Sequence, residues 1–195
     1  MENKCRAARV IRVITIPPVM ALWLILTLWL GRDDVIVQRS EGVMAILCLT
    51  VLPLLAYPLS WLFPKLRRKG RECQRNLAFA LSGLGYVLGW LWAVGSVHES
   101  PLRFLFGTYL FSVGILLLFN KLLRLRASGH ACSVAGPIAV IIVLLGGWWV
   151  PVCLAVYAMS FWASVKSGRH TVGEYLLGSL SVLLAMALSA LIYLI

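Results

Sequence analysis

Charge is scarce in this chain, and acidic charge is scarcest. Of 195 residues 13% are charged, with 7 Asp plus Glu against 18 Lys plus Arg. A soluble domain carries roughly 25% charged residues, so there is too little polar surface here to cover a soluble particle. Cysteine is sparse and unpatterned. Cys5, Cys48, Cys73, Cys132 and Cys153 are odd in number, widely spaced and without a CxxC pair, which excludes a disulfide framework and leaves small buried hydrophobes or free thiols. Histidine occurs three times, and compact metal-ligand spacing is missing: His130, Cys132 and His170 are too scattered to read as a zinc motif. No internal repeat, low-complexity stretch or long polar linker divides the chain, so residues 1–195 read as one integral membrane domain.

What the chain does have is apolar sequence, 61% of its residues. About 20 apolar residues cross a hydrocarbon core, and the runs Val13 to Leu30, Gly42 to Phe63, Leu77 to Val97, Phe104 to Leu123 and Thr171 to Ile195 are of that order. The first follows a basic N-terminus, as a signal peptide would, and is expected to be a retained anchor with a turn at Pro17 and Pro18. Pro53 and Pro58 are expected to kink the second run without ending it. Gly85 and Gly89 in the third have the four-residue spacing that permits close helix packing. Ala131 to Ser164 is too long for one ordinary span, and Gly146-Gly147-Trp148-Trp149 with Pro151 breaks it into a hairpin. The expected fold is all-α, a polytopic bundle of about seven transmembrane helices.

The basic residues lie between the runs. The stretch Pro64 to Arg75 is the most charged and reads equally as an interfacial helix or a solvated loop. With alternating crossings, 15 of the 18 Lys and Arg fall on one face together with Glu2, Glu72 and Glu174. The Lys and Arg excess in short loops marks the cytoplasmic side, which predicts the N-terminus inside and the C-terminus outside, in the plasma membrane. A basic balance also permits nucleic-acid binding, but only from one basic soluble face; here membrane lipids or a phosphate-bearing substrate are the expected partners. A transporter would require polar groups at mid-membrane depth, and the runs offer mainly Ser, Thr, Tyr and Asn120 near an end.

His98 stands beside Glu99 in a loop of the opposite face and suggests no mechanism. His130 and His170 each precede an apolar helix, in segments rich in donors: Lys121, Arg124, Arg126, Ser128 and Gly129 before the first, Lys166, Ser167, Gly168 and Arg169 before the second. The hairpin returns the chain to the same face, where amides at helix starts favour an anion and the cations add charge-assisted bonds. Glu174, four residues after His170, falls on the same side of that helix. It suits either of two tasks, orienting an imidazole or capping a helix N-terminus.

Ala127-Ser128-Gly129-His130 and Gly168-Arg169-His170-Thr171-Val172-Gly173-Glu174, separated by two apolar helices, resemble the second and third signature motifs of the type-2 phosphatidic acid phosphatase and haloperoxidase superfamily. The second motif there is Pro-Ser-Gly-His, and Ala127 takes the proline position. The third is Ser-Arg, five residues, His, three residues, acid, which fall here on Ala163, Ser164, His170 and Glu174. The first motif, a lysine followed at distance by Arg-Pro, has no regular counterpart; Lys121, Arg124 or Arg126 would supply its cations, Arg126 foremost. The resemblance covers Lys121 to Gly178 and implies a six-helix lipid-phosphatase-like core. It further implies a metal-independent phosphatase, without cofactor, acting on a lipid phosphate or isoprenoid diphosphate. His170 would form a phosphohistidine, Glu174 would orient it and His130 would serve as acid, then base. Ser128, Gly129, Arg126, Arg169 and Lys166 would hold the phosphoryl oxygens. The competing expectation, prompted by Ser164 at the arginine position, is a non-catalytic diverged protein that binds anionic lipid or partner proteins.

Overall fold

The computed structural model describes residues 2–63, 68, 70–96 and 101–193. The expectations for His98 and for the basic stretch at 64–67 and 69 lie outside these residues. The described chain is helical throughout, with α1 Glu2–Ile14, α2 Pro17–Gly31, α3 Arg39–Leu62, α4 Gly70–Ser96, α5 Pro101–Leu122, α6 Gly129–Leu145, α7 Trp149–Lys166 and α8 Val172–Tyr193. Five of them, α3, α4, α5, α7 and α8, are long and apolar enough to cross a membrane, and α1 with α2 makes a sixth candidate if the bent pair is one span. α6 is apolar but shorter, 17 residues, or about 26 Å at 1.5 Å per residue.

The apolar runs become helices at nearly the expected places, and the departures have local causes. The first run is broken: α1 ends at Ile14, and α2 leaves it at 54°. Proline fits the first helical turn, where its missing N–H is not needed, so Pro17 and Pro18 start α2 and do not bend a helix already under way. The basic N-terminus is therefore a separate amphipathic helix, with Arg6, Arg9 and Val10 exposed and Ala8 buried. α3 runs past Pro53 because a wide turn at Leu47–Val51 precedes it; such a π-turn relieves the clash of the ring with the carbonyl four residues back. α4 begins at Gly70, so Glu72 and Arg75, expected in a basic loop or surface helix, stand in its first turns. The hairpin turn between α6 and α7 falls on Gly146 and Gly147, both at positive φ (56° and 48°).

α6 sits in the middle, packed by α2, α5, α7 and α8, while α3 and α4 pair outside α2 and α5. The core joins Leu24, Ile25 and Leu28 of α2, Leu49 of α3, Leu105 and Phe106 of α5, and Val134, Ile138 and Ile141 of α6. Gly85 packs against the Cys48 carbonyl of α3 and Gly89 against the Phe106 ring of α5, so the two close-packing glycines serve different neighbours. Leu176, Leu180, Leu183, Leu184, Leu188 and Leu191 of α8 are exposed. Exposed apolar surface on this scale marks a protein whose surroundings are not water, and the fold is that of a membrane-embedded helical bundle. At the end away from α1, Arg32 donates to the Leu144 carbonyl (2.6 Å) at the close of α6 and pairs with Asp34. That hydrogen-bonded guanidinium holds the Asp34 carboxyl below its usual range.

Candidate functional site

The start of α6, the end of α7 and the start of α8 meet at one end of the bundle, and α1 lies over them against α7. The α8 start is a capping box, in which a hydroxyl and a carboxylate three residues apart satisfy each other's backbone N–H. Glu174 N–H donates to Thr171 Oγ1 and Thr171 N–H to Glu174 Oε2, both at 3.2 Å. The same Oε2 lies 3.2 Å from His170 Nδ1, and Oε1 lies 3.3 Å from Arg126 Nε. Glu174 thus serves both tasks that its position suggested. An ionised carboxylate only accepts, so Nδ1 carries the proton and Nε2 keeps the lone pair.

His130 is held differently. Its Nε2 lies 3.3 Å from Thr15 Oγ1 at the α1–α2 bend and 3.3 Å from Ser160 Oγ of α7. Thr15 gives its own proton to the Ile11 carbonyl (2.8 Å), so its oxygen can accept from a protonated His130 Nε2, while the Ser160 hydroxyl can donate to an unprotonated one. Ser160 in turn accepts from Tyr175 OH (3.0 Å), and Ser160 and Tyr175 are both fully buried. The two imidazoles are near enough for their charges to interact, and Arg12 acts on His130 in the same way. The hairpin and the bend therefore bring together one histidine with a carboxylate at Nδ1 and another with two hydroxyls at Nε2.

The α5–α6 link is fixed by backbone chemistry. Arg124 adopts φ 54°, a left-handed conformation, which turns the chain after the wide turn at Leu118–Leu122. Asn120 Nδ2 donates to the Leu116 and Ala127 carbonyls (2.9 and 3.1 Å). Ser128 N–H donates to the Glu174 carbonyl (2.9 Å), which ties the two motif segments together directly. Ser128 itself is the buried N-cap of α6, its Oγ accepting from Ala131 N–H (3.2 Å). Its hydroxyl serves first as a cap, and the Gly129 backbone is the exposed part of that turn.

Of the residues singled out in the sequence, the fold gathers His130, His170, Glu174 and Arg126, with Ser128 buried and Gly129 exposed at the turn that starts α6. Arg169 is exposed and close enough to Arg12 for their charges to oppose each other. Lys121, Arg124 and Lys166 are exposed at the same end, and none is a hydrogen-bond partner of either histidine. Ser164, where the motif it resembles has an arginine, is fully buried in α7, and its Oγ finds no hydrogen-bond partner among the described residues. Arg12, Thr15, Ser160 and Tyr175 were not singled out. Polar groups inside apolar helices would have drawn attention to Ser160 and Tyr175 but not to their closeness to His130, and nothing local links Thr15 to a histidine 115 residues away. Among the described residues no three His, Cys, Asp or Glu side chains converge as a metal site. No family model, curated protein or solved structure matches the chain.

Proposed function

We propose that this protein is a phosphatase for a membrane-borne phosphate, a lipid phosphate or isoprenoid diphosphate, working through a phosphohistidine at the cytoplasmic face. The observation that carries this reading is the His170–Glu174 pair, with Nδ1 held by the carboxylate, beside a second histidine whose Nε2 meets the Thr15 and Ser160 hydroxyls. In the first step His170 Nε2 attacks phosphorus, the P–O bond to the lipid breaks, and His130, charged as the imidazolium beside the bound anion, gives a proton to the departing oxygen and becomes neutral. In the second, His130 takes a proton from water, the water oxygen bonds to phosphorus, and the P–N bond breaks to release phosphate and neutral His170. Cations and helix-start amides stabilise the transferring group without further chemistry. The six-helix core of the resembling family would correspond to α3 through α8.

The test is phosphate release by the purified protein in detergent from phosphatidate, phosphatidylglycerol phosphate and prenyl diphosphates, beside His170→Ala. Turnover lost in His170→Ala, with acid-labile label trapped on the wild-type protein, is expected. Absence of turnover on every substrate with no trapped label rejects the reading.

A second reading, a non-catalytic binder of anionic lipid, is favoured by Ser164 alone. Losing one aimed donor costs about 3 kcal/mol of transition-state stabilisation, roughly a hundredfold in rate. Lipid binding that persists when both His130 and His170 are alanine, without turnover in any variant, is its signature.

A further inference from the structure

We infer that Arg12, carried in by the N-terminal helix α1, is a phosphate-binding residue of this site and supplies the guanidinium that Ser164 lacks. The inference deepens the phosphatase reading and rests on it for the identity of the anion. Arg12, in the last turn of α1, precedes Thr15 by three residues, and the Thr15 N–H still bonds the Ile11 carbonyl, so the two side chains leave the same side of the chain, and Thr15 touches His130 Nε2. The Nε of Arg12 is buried without a hydrogen-bond partner among the described residues. Arginine carries five donors and no acceptor, and leaving a buried donor unpaired is unfavourable, more so when it is charged.

Two more observations converge on the same spot. Arg12 and Arg169 lie close enough to repel each other, and Arg12 opposes any positive charge on His130. Glu174, the one carboxylate of the site among the described residues, is engaged by His170, Thr171 and Arg126. A cluster of like charge with no free counter-charge among the described residues is stabilised by an anion. Second, Ser164 Oγ, one turn beyond Ser160 on α7 and so on the same side as the His130 contact, is buried and equally unpartnered. An unpaired guanidinium N–H three residues before the Thr15 contact and an unpaired hydroxyl one turn from the Ser160 contact, both among the described residues, fit a tetrahedral oxyanion, the phosphate of a monoester or diphosphate.

Inorganic phosphate and phosphatidate in phosphatidylcholine nanodiscs are the probes, offered to the full chain and to Arg12→Gln, Arg12→Lys and Arg9→Gln. Arg9 is exposed on the same helix and removes an equal charge. Arg12→Gln is expected to weaken phosphate binding about tenfold or more, Arg12→Lys to restore it in part, and Arg9→Gln to change it less than about twofold. Weakening on phosphatidate alone identifies a lipid headgroup ligand, and weakening on both identifies the phosphate itself. Should Arg12→Gln fail to fold, arginine modification of the wild-type protein by phenylglyoxal answers the same question: phosphate is expected to protect Arg12 and not Arg9. Wild-type-like binding in Arg12→Gln, unprotected Arg12, or no phosphate binding by the wild type overturns the inference. Turnover unaffected by Arg12→Gln overturns it and leaves the phosphatase reading standing; Arg12-dependent binding without turnover does the reverse.

Discussion

Glu174 joins three tasks in one side chain, and they separate by substitution. It caps α8 through Thr171 N–H, orients His170 and pairs with Arg126. Glu174→Gln keeps a side-chain oxygen for the cap but loses the charge that steadies an imidazolium, so phosphate release is expected to fall about 10²-fold or more with little loss of stability. Thr171→Val removes the hydroxyl that accepts from Glu174 N–H and is expected to cost about 1 kcal/mol of stability with activity changed far less. Thermal denaturation and turnover measured on both variants check the split; equal loss of activity in the two would reduce Glu174 to a cap. The spacing of His170 and Glu174 made this pair readable in the sequence, because four residues on a helix fix proximity. Arg12, Thr15 and Ser160 were not readable, since their closeness to His130 arises from a bend and a hairpin packed together, with no local pattern to record it.

At the scale of elements, the site depends on how closely α8 approaches the Ala127–Ser128 backbone. Gly178 of α8 faces the Ser128 carbonyl so tightly that a Cβ would overlap it, and the Ser128 N–H bond to Glu174 spans the same junction. Backbone gives way less readily than the tip of a side chain. Gly178→Ala is therefore expected to destabilise the protein by about 1–3 kcal/mol and to reduce activity by moving His130 relative to His170; Gly173→Ala, with open space at its Cβ, is the matched control. A thermal midpoint unchanged in Gly178→Ala would show that this junction yields freely. Most helices were legible as apolar runs, and Gly146-Gly147 was legible as their interruption. The turn at Pro17-Pro18 was legible too, but not that these prolines start α2 after a separate α1; the wide turns in α3 and α5 were not, because they leave no compositional trace.

For the whole molecule, the question is whether α6 crosses the membrane. At 17 residues it falls at the lower limit for a span of about 30 Å, yet it is enclosed by α2, α5, α7 and α8, so its length is matched to protein neighbours and less to lipid. Nine of its residues, from Ala131 to Ile141, are buried, and a helix so enclosed does not need full lipid-spanning length. If it crosses, the α6–α7 turn lies opposite the site, and the Lys and Arg excess puts the site inside. In a background free of the five native cysteines, Trp148→Cys, at a position 93% exposed in the turn, is expected to react with a membrane-impermeant maleimide on intact cells. Lys121→Cys, exposed at the site end, is expected to react only after permeabilisation. The opposite pattern would place the site outside and the substrate in the outer leaflet. Labelling of both from one side would make α6 and α7 a re-entrant hairpin, and the two histidine segments would then share a face by dipping into the membrane and returning, not by crossing it twice.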